Sequence, residues 1–262
     1  MLIIGFSGRK QAGKNTCANY LVGKILADIN LIFNPFSINN NGQLEVQDIQ
    51  GNKKYAGVFD ITRQSSAMKD FCHDHLDDYI QIHSFADILK QEVCSKVLNL
   101  PLNKLYGSDD DKNTLTNIKW KDIDKILTKN ATKSVVRNND DSLTIREVLQ
   151  IIGTNIFRSL FPNVWPEALL RKIMSTHTDL AVITDVRFPN EVEAIQQAGG
   201  YVIRLTRTKY PDDNHESETA LDRENFDWEK FDFIIDNEKM TIPEQLIELE
   251  KIMSFINNDT NN

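Results

Sequence analysis

Leu2-Ile3-Ile4-Gly5-Phe6-Ser7 runs without a break into Gly8-Arg9-Lys10-Gln11-Ala12-Gly13-Lys14-Asn15-Thr16. The first part is a short, nearly continuous apolar run, the pattern of a strand buried on both faces. The second fits G-x-x-x-x-G-K. Beyond it, Lys14 to Leu26 places Cys17, Leu21, Val22, Ile25 and Leu26 at helical spacing. Strand, glycine loop and helix in that order make a phosphate cradle. The glycines let successive backbone N–H groups turn inward, Lys14 reaches the β and γ phosphates, and the helix N-terminus adds positive potential. All nine residues from Gly8 to Thr16 are therefore expected at the bound phosphates. Arg9 and Lys10 bring further cations. Asn15 occupies the place where a magnesium-binding hydroxyl usually stands, and Thr16 follows one position later, so metal contact shifts to Thr16 or to water. Cys17 reads as a small packed residue.

Working outward, further strands are expected at 79–84, 180–184, 201–205 and 231–235, and helices near 85–98, 144–152, 164–176, 190–198 and 243–256. Such alternation implies an α/β fold with a mostly parallel five-stranded sheet covered on both faces. Asp185 ends the apolar run Leu180-Ala181-Val182-Ile183-Thr184, at the carboxyl end of a strand, where ligands of open α/β sheets sit. An acid there faces magnesium or its water shell. Arg187, two residues on, projects to the same side if the strand continues. Two polar stretches interrupt the alternation, at about 33–67 and 103–142. They read as surface loops or as helical and loop insertions forming a substrate-binding or lid region. Residues 1–256 are expected to form one domain and 257–262 a disordered tail.

Composition narrows the partners. Among 262 residues, 30 are Lys or Arg and 38 are Asp or Glu, a net charge of -8. That balance argues against binding a nucleic acid polymer, which relies on massed cations. Three cysteines without a CxxC pair suggest neither a disulfide framework nor a structural zinc. No run of 18 apolar residues or leader pattern is present, so no membrane association is expected and a cytoplasmic location is (host cytoplasm, if the source is viral). The sequence leaves a homodimer open.

Several blocks together resemble the bacteriophage-type deoxynucleoside monophosphate kinases. They are Ser7 to Thr16, Phe85-Ala86-Asp87-Ile88-Leu89-Lys90, Arg146 to Thr154, Thr184 to Glu191, and His215-Glu216-Ser217-Glu218. The resemblance spans almost the whole chain in the family's order. Its G-K-x-T ending is shared with several nucleoside monophosphate kinases. It implies a three-layer P-loop kinase fold, ATP with Mg2+, and transfer of a γ-phosphate to a deoxynucleoside monophosphate, with these small molecules as partners. Animal-type phosphomevalonate kinase shares the subgroup and is the rival. Gly153-Thr154 and Trp165 look more like the nucleotide enzymes.

The resemblance casts Lys14, Asp185 and Arg187 as the catalytic set, with Thr16 and Asp185 toward the metal, directly or through water. It makes Lys90, Arg146, Gln150, Arg158 and Trp165 acceptor-binding candidates. Arg171 and Arg207 become further phosphate or lid candidates. Each has a plainer alternative: Arg146 and Gln150, four apart, form the polar face of a helix, Lys90 is a solvated lysine, and Trp165 is core. His215, Glu216 and Glu218 read as a loop near the nucleotide, not a metal site. A nucleotide-dependent switch would need a D-x-x-G loop and an N/T-K-x-D reader. Thr208-Lys209-Tyr210-Pro211-Asp212 is one residue too long for the latter.

Overall fold

A computed structural model describes residues 1–32, 36–46, 57–59, 66–127, 140–209 and 216–259. The chain divides into two compact units, Met1–Ser84 with Lys172–Asn262, and Phe85–Arg171.

The first unit is built on a sheet of five strands. These are β1 (Leu2–Ser7), β2 (Ile80–His83), β3 (Leu180–Val186), β4 (Tyr201–Leu205) and β5 (Phe233–Ile235), in spatial order β5-β4-β1-β3-β2. Every neighbouring pair is parallel. This is the expected mostly parallel α/β sheet, with the N-terminal strand at its centre. Alternation along β1 assigns its two faces. Ile4 and Phe6 share a core with Cys17, Ala18, Leu21, Val22 and Leu26 of helix α1 (Lys14–Asp28). On the other face, Ile3 and Gly5 lie against Ile195 of helix α2 (Pro189–Gln197). Helix α3 (Ile242–Asp259) adds Leu246, Leu249 and Ile256 to the α1 side. Three layers result. Fully buried Phe6 sits at their centre, where truncation to Ala costs on the order of 3–5 kcal/mol.

Two departures from the sequence reading bear on function. Gly5 pairs with Ile183 but Ser7 pairs with Val186, so β3 carries one extra residue beside Asp185. Such bulges re-aim side chains near active sites. The strand also stops at Val186, so simple alternation does not put Arg187 on the side of Asp185. The stretch 33–67 is not loop alone. Ser37–Ile38, Leu44–Val46 and Gly57–Phe59 form a small antiparallel sheet, and Leu44 and Phe59 join the main core. Its turn meets helix α1, since Asn19 Nδ2 donates to Gly42 O at 2.8 Å. Gly42 has φ +75°, and a Cβ there would lie 2.2 Å from Thr16 Oγ1.

In the second unit, the chain from Phe85 is helical and passes into a π-helical stretch over Leu89–Val97. Helix Ile145–Gln150 likewise passes into one over Ile151–Arg158. Thr144 starts the latter with a reciprocal cap: its hydroxyl accepts from Glu147 N–H, and Glu147 Oε2 accepts from Thr144 N–H at 2.8 Å. Leu89 packs so closely on Gly153 that a Cβ there would stand 2.6 Å from it. Within 103–142, strand Leu115–Lys119 pairs antiparallel with Ser142–Thr144, again more than loop; residues 128–139 lie outside the described part. At the C-terminus α3 continues to Asp259, three residues into the stretch expected to be disordered, because Ile256 is buried and holds the last turns to the core.

Candidate active site

The loop between β1 and α1 needs three unusual backbone positions. Gly8 has φ 152°, Gln11 61° and Gly13 106°. Glycine meets two of them at low cost; Gln11, which carries a Cβ, is held left-handed by its surroundings. Gly13 is also sterically fixed, since a Cβ would lie 2.7 Å from Gln245 Nε2. Gln245 and Asn237, both fully buried, brace the loop from behind. Asn237 Nδ2 donates to Ala12 O (2.8 Å) and Gln245 Oε1 (2.7 Å), and Gln245 Nε2 donates to Gly13 O and to Cys17 Sγ. Cys17 is buried with its thiol pushed up to about 12, mainly by desolvation, which suits a packed residue rather than a nucleophile.

Lys14 folds back over its own loop. Its Nζ donates to Gly8 O at 2.6 Å and Arg9 O at 2.7 Å, and the residue is 8% exposed. Burial pushes its pKa down to about 7; Arg187 and Arg204 push the same way, and Asp185 opposes them. Lys14, Arg187 and Arg204 thus lie within electrostatic reach of one another, beside Asp185. Carboxylates from distant segments partly balance their charge. Asp222 accepts from Arg9 and, at 3.5 Å, from Arg204 Nη2. Arg204, 4% exposed, also donates to Ser7 Oγ at 3.0 Å and stacks on Trp228 and Phe231. Glu218 Oε2 accepts from Lys10 N–H at 2.6 Å, and its Oε1 accepts from Arg187 Nη1. At the end of β3, Asp185 Oδ2 accepts from Ser84 Oγ at 2.5 Å.

Of the expected site residues, the loop, Lys14, Asp185 and Arg187 thus belong to one charged neighbourhood. Arg207 follows β4, but its Nη2 donates to the carbonyls of Asn237 and Met240. The acceptor candidates all fall in the second unit. There Lys90 lies 4.5 Å over the Tyr106 ring, and Arg146 donates to Asp109 (2.7 Å) and Asn113 (3.2 Å). Gln150 is exposed and Arg158 half-buried. Trp165 is 4% exposed, with its indole N–H on Gly153 O and its ring against Phe157, a core arrangement. Arg171 pairs with Glu167 one helical turn away. His215 lies outside the described residues.

Sequence reasoning missed Ser84, Arg204, Asp222, Asn237 and Gln245. Arg204 did carry a signal: a charge inside the apolar run Val202-Ile203-Arg204-Leu205 demands a partner. The others had none, because their role depends on contacts across the fold. An open groove of about 690 Å³ lies along Asp236, Glu238, Lys239, Met240, Glu244, Ile247 and Glu248. Four acids against one lysine make it unsuited to phosphate. Among the described residues no group of three or more His, Cys, Asp or Glu is placed to hold a metal. No described helix is long and apolar enough to cross a membrane.

The family model for deoxynucleotide monophosphate kinases matches residues 2–252. The chain belongs to that family. Among relatives, a deoxynucleotide monophosphate kinase homologue of Acanthamoeba polyphaga mimivirus is 30% identical over 152 residues, covering 53% of this chain and 67% of that protein. The deoxynucleoside-5'-monophosphate kinase of Escherichia phage T5 is 36% identical over 74 residues, 26% of this chain and 30% of its own length. An uncharacterized protein, ORF77, of Ictalurid herpesvirus 1 is 38% identical over 84 residues, 29% of this chain and 36% of its length. The chain thus spans about a third of the length of the last two. Membership makes the chain a phosphotransferase of the deoxynucleoside monophosphate kinase type, with ATP as the implied donor and small-molecule substrates.

Proposed function

We propose that this kinase transfers the γ-phosphate of ATP to a free deoxynucleoside monophosphate through Lys14, Asp185 and Arg187. The observation that carries this is the loop itself. A buried lysine spends its donors on the Gly8 and Arg9 carbonyls, in a left-handed turn at a helix N-terminus. Phosphate oxygens replace those carbonyls, and the N–H groups from Gly13 to Thr16 take the remaining charge, while the Ala12 N–H donates to Arg9 O at 3.1 Å. An attacking phosphate oxygen is already anionic, so no side-chain base is required. The reaction then rests on positioning and on neutralising charge.

Arg187 supplies the planar fork for oxygens that gain charge during transfer. Asp185 and the Thr16 hydroxyl would hold Mg2+. Hard oxygen donors in small number suit that ion, which keeps several waters and leans on substrate phosphates. Bound there, it would neutralise part of the phosphate charge. Lys90, Arg146, Gln150, Arg158 and Trp165 are proposed on the acceptor side, with Trp165 acting through packing, and Arg171 and Arg207 as further phosphate contacts. We place the reaction in the cytoplasm, with no nucleic acid polymer as substrate.

The test is to incubate the full chain with ATP, Mg2+ and separately dTMP, dGMP, dCMP, dAMP or phosphomevalonate, and to follow ADP. Release with at least one deoxynucleotide is expected. Turnover of phosphomevalonate alone would overturn the acceptor class.

A further inference from the structure

We propose that Glu218 is a positioning residue for phosphoryl transfer, fixing the Arg187 guanidinium against the phosphate loop before nucleotide arrives. This rests on the reading of Arg187 as the arginine that meets the transferring phosphate. The carboxylate is used from both ends. Oε2 accepts from the Lys10 N–H at 2.6 Å and Oε1 from Arg187 Nη1. One side chain therefore ties the loop after β1 to the residue after β3, segments 177 positions apart by number (187 less 10).

The same short segment grips the arginine a second time, through Ser217 O to Nη1 at 3.2 Å. The backbone of Arg187 is held independently, its N–H on Glu191 Oε2 at 2.7 Å. Main chain and guanidinium are thus fixed by different carboxylates. Among the described residues, Arg187 Nε and Nη2 reach no protein acceptor, so the held edge leaves donors for phosphate oxygens. Glu218 is itself anchored. Its side chain is 8% exposed, and four residues on Asp222 ties the segment to Arg9 and Arg204.

An arginine has several rotatable bonds, and freezing them in the right geometry in advance removes an entropic cost from the transition state. That gain appears in kcat. A carboxylate that merely stood in for absent phosphate would act oppositely, since its removal would tighten ATP binding.

The experiment is a double-mutant cycle on the full chain: Glu218→Gln, Arg187→Ala and both together, with kcat and KM for ATP and acceptor. Glu218→Gln keeps an acceptor for the Lys10 N–H but removes the charge that holds the guanidinium. We expect it to lower kcat at least about tenfold with ATP KM changed less than about threefold. In the Arg187→Ala background the same substitution should change kcat less than about twofold. Glu218→Asp, which keeps the charge, should recover part of the loss, and it replaces Glu218→Gln in the cycle if that variant does not fold. An equal loss in both backgrounds, or tighter ATP binding at unchanged kcat, overturns the proposal. If Arg187→Ala alone keeps wild-type kcat, the reading of Arg187 itself fails and takes the proposal with it.

Discussion

The cations of the two units are held in different ways. In the first unit Arg9, Arg187 and Arg204 meet carboxylates at Asp222 and Glu218, behind a lysine that is itself buried. In the second, Arg146 and Arg171 have side chains 39% and 72% exposed and pair with surface acids. Buried pairs are costly to break because removing one partner strands a charge away from water; exposed pairs contribute little. The charged network around the glycine loop is therefore built without any ligand. Among the acceptor candidates, Arg146 owes its present position to an exposed pair that a ligand can replace cheaply, whereas Trp165 is held in the core.

The strongest way to break this contrast is Lys14→Ala. Loss of the central cation should cut kcat/KM for ATP at least about a thousandfold, roughly 4 kcal/mol, with an unchanged circular dichroism spectrum. Persisting turnover would place the donor site elsewhere.

Next in size is Asp222→Asn. It leaves Arg204 with Ser7 and two aromatic rings but without its carboxylate, and it loosens Arg9. A stability loss of about 2–3 kcal/mol is expected in urea denaturation. A change within error would mean that the buried network is not what braces the donor side.

The Lys14 titration sharpens the comparison. Its folded pKa of about 7 lies below the ordinary 10.5. Below pH 7 the lysine is charged in both folded and unfolded chains, and its burial cost is fully present. Between 7 and 10.5 the unfolded chain holds a proton that the folded one lacks, so this group makes the ligand-free protein more stable as pH rises. Phosphates restore the charge. ATP binding should therefore take up a proton above pH 7 and weaken by up to about tenfold per pH unit. Titration calorimetry in two buffers of different ionisation enthalpy reads this directly, and no proton uptake would contradict it.

The smallest stability effect belongs to Arg146→Ala. Losing a half-exposed pair with Asp109 should leave stability within about 0.5 kcal/mol, while KM for the acceptor rises and KM for ATP does not. A thermal melt and steady-state kinetics separate the two. A large loss of stability would show that this side is braced as firmly as the other.

Sheet and loop were legible from the chain because their signals are local. An apolar run of five or six residues, glycines where φ must be positive, and helical spacing after Lys14 each depend on near neighbours only. All five strands of the central sheet follow from such runs. The strands at Ser37–Ile38, Leu44–Val46 and Gly57–Phe59 span two or three residues, too few for alternation to show, so that stretch read as surface loop or as a helical and loop insertion. The bulge beside Asp185 was equally invisible, since it exists only as a mismatch of register between β1 and β3.

By itself the sequence determined that a glycine loop joins a central strand to a helix, that an acid and an arginine stand at the end of a later strand, and which blocks match the family. Only the tertiary structure decided which groups hold those residues in place. Asp222 reaches Arg9 across 213 positions, Gln245 reaches Gly13 across 232, and Glu218 reaches Arg187 across 31. Backbone geometry and hydrophobic period act over a few residues, whereas the pairing of a buried charge is settled only when parallel crossovers bring distant strand ends together. Until then any of the chain's 38 acids is an equally plausible partner for the arginines around the glycine loop.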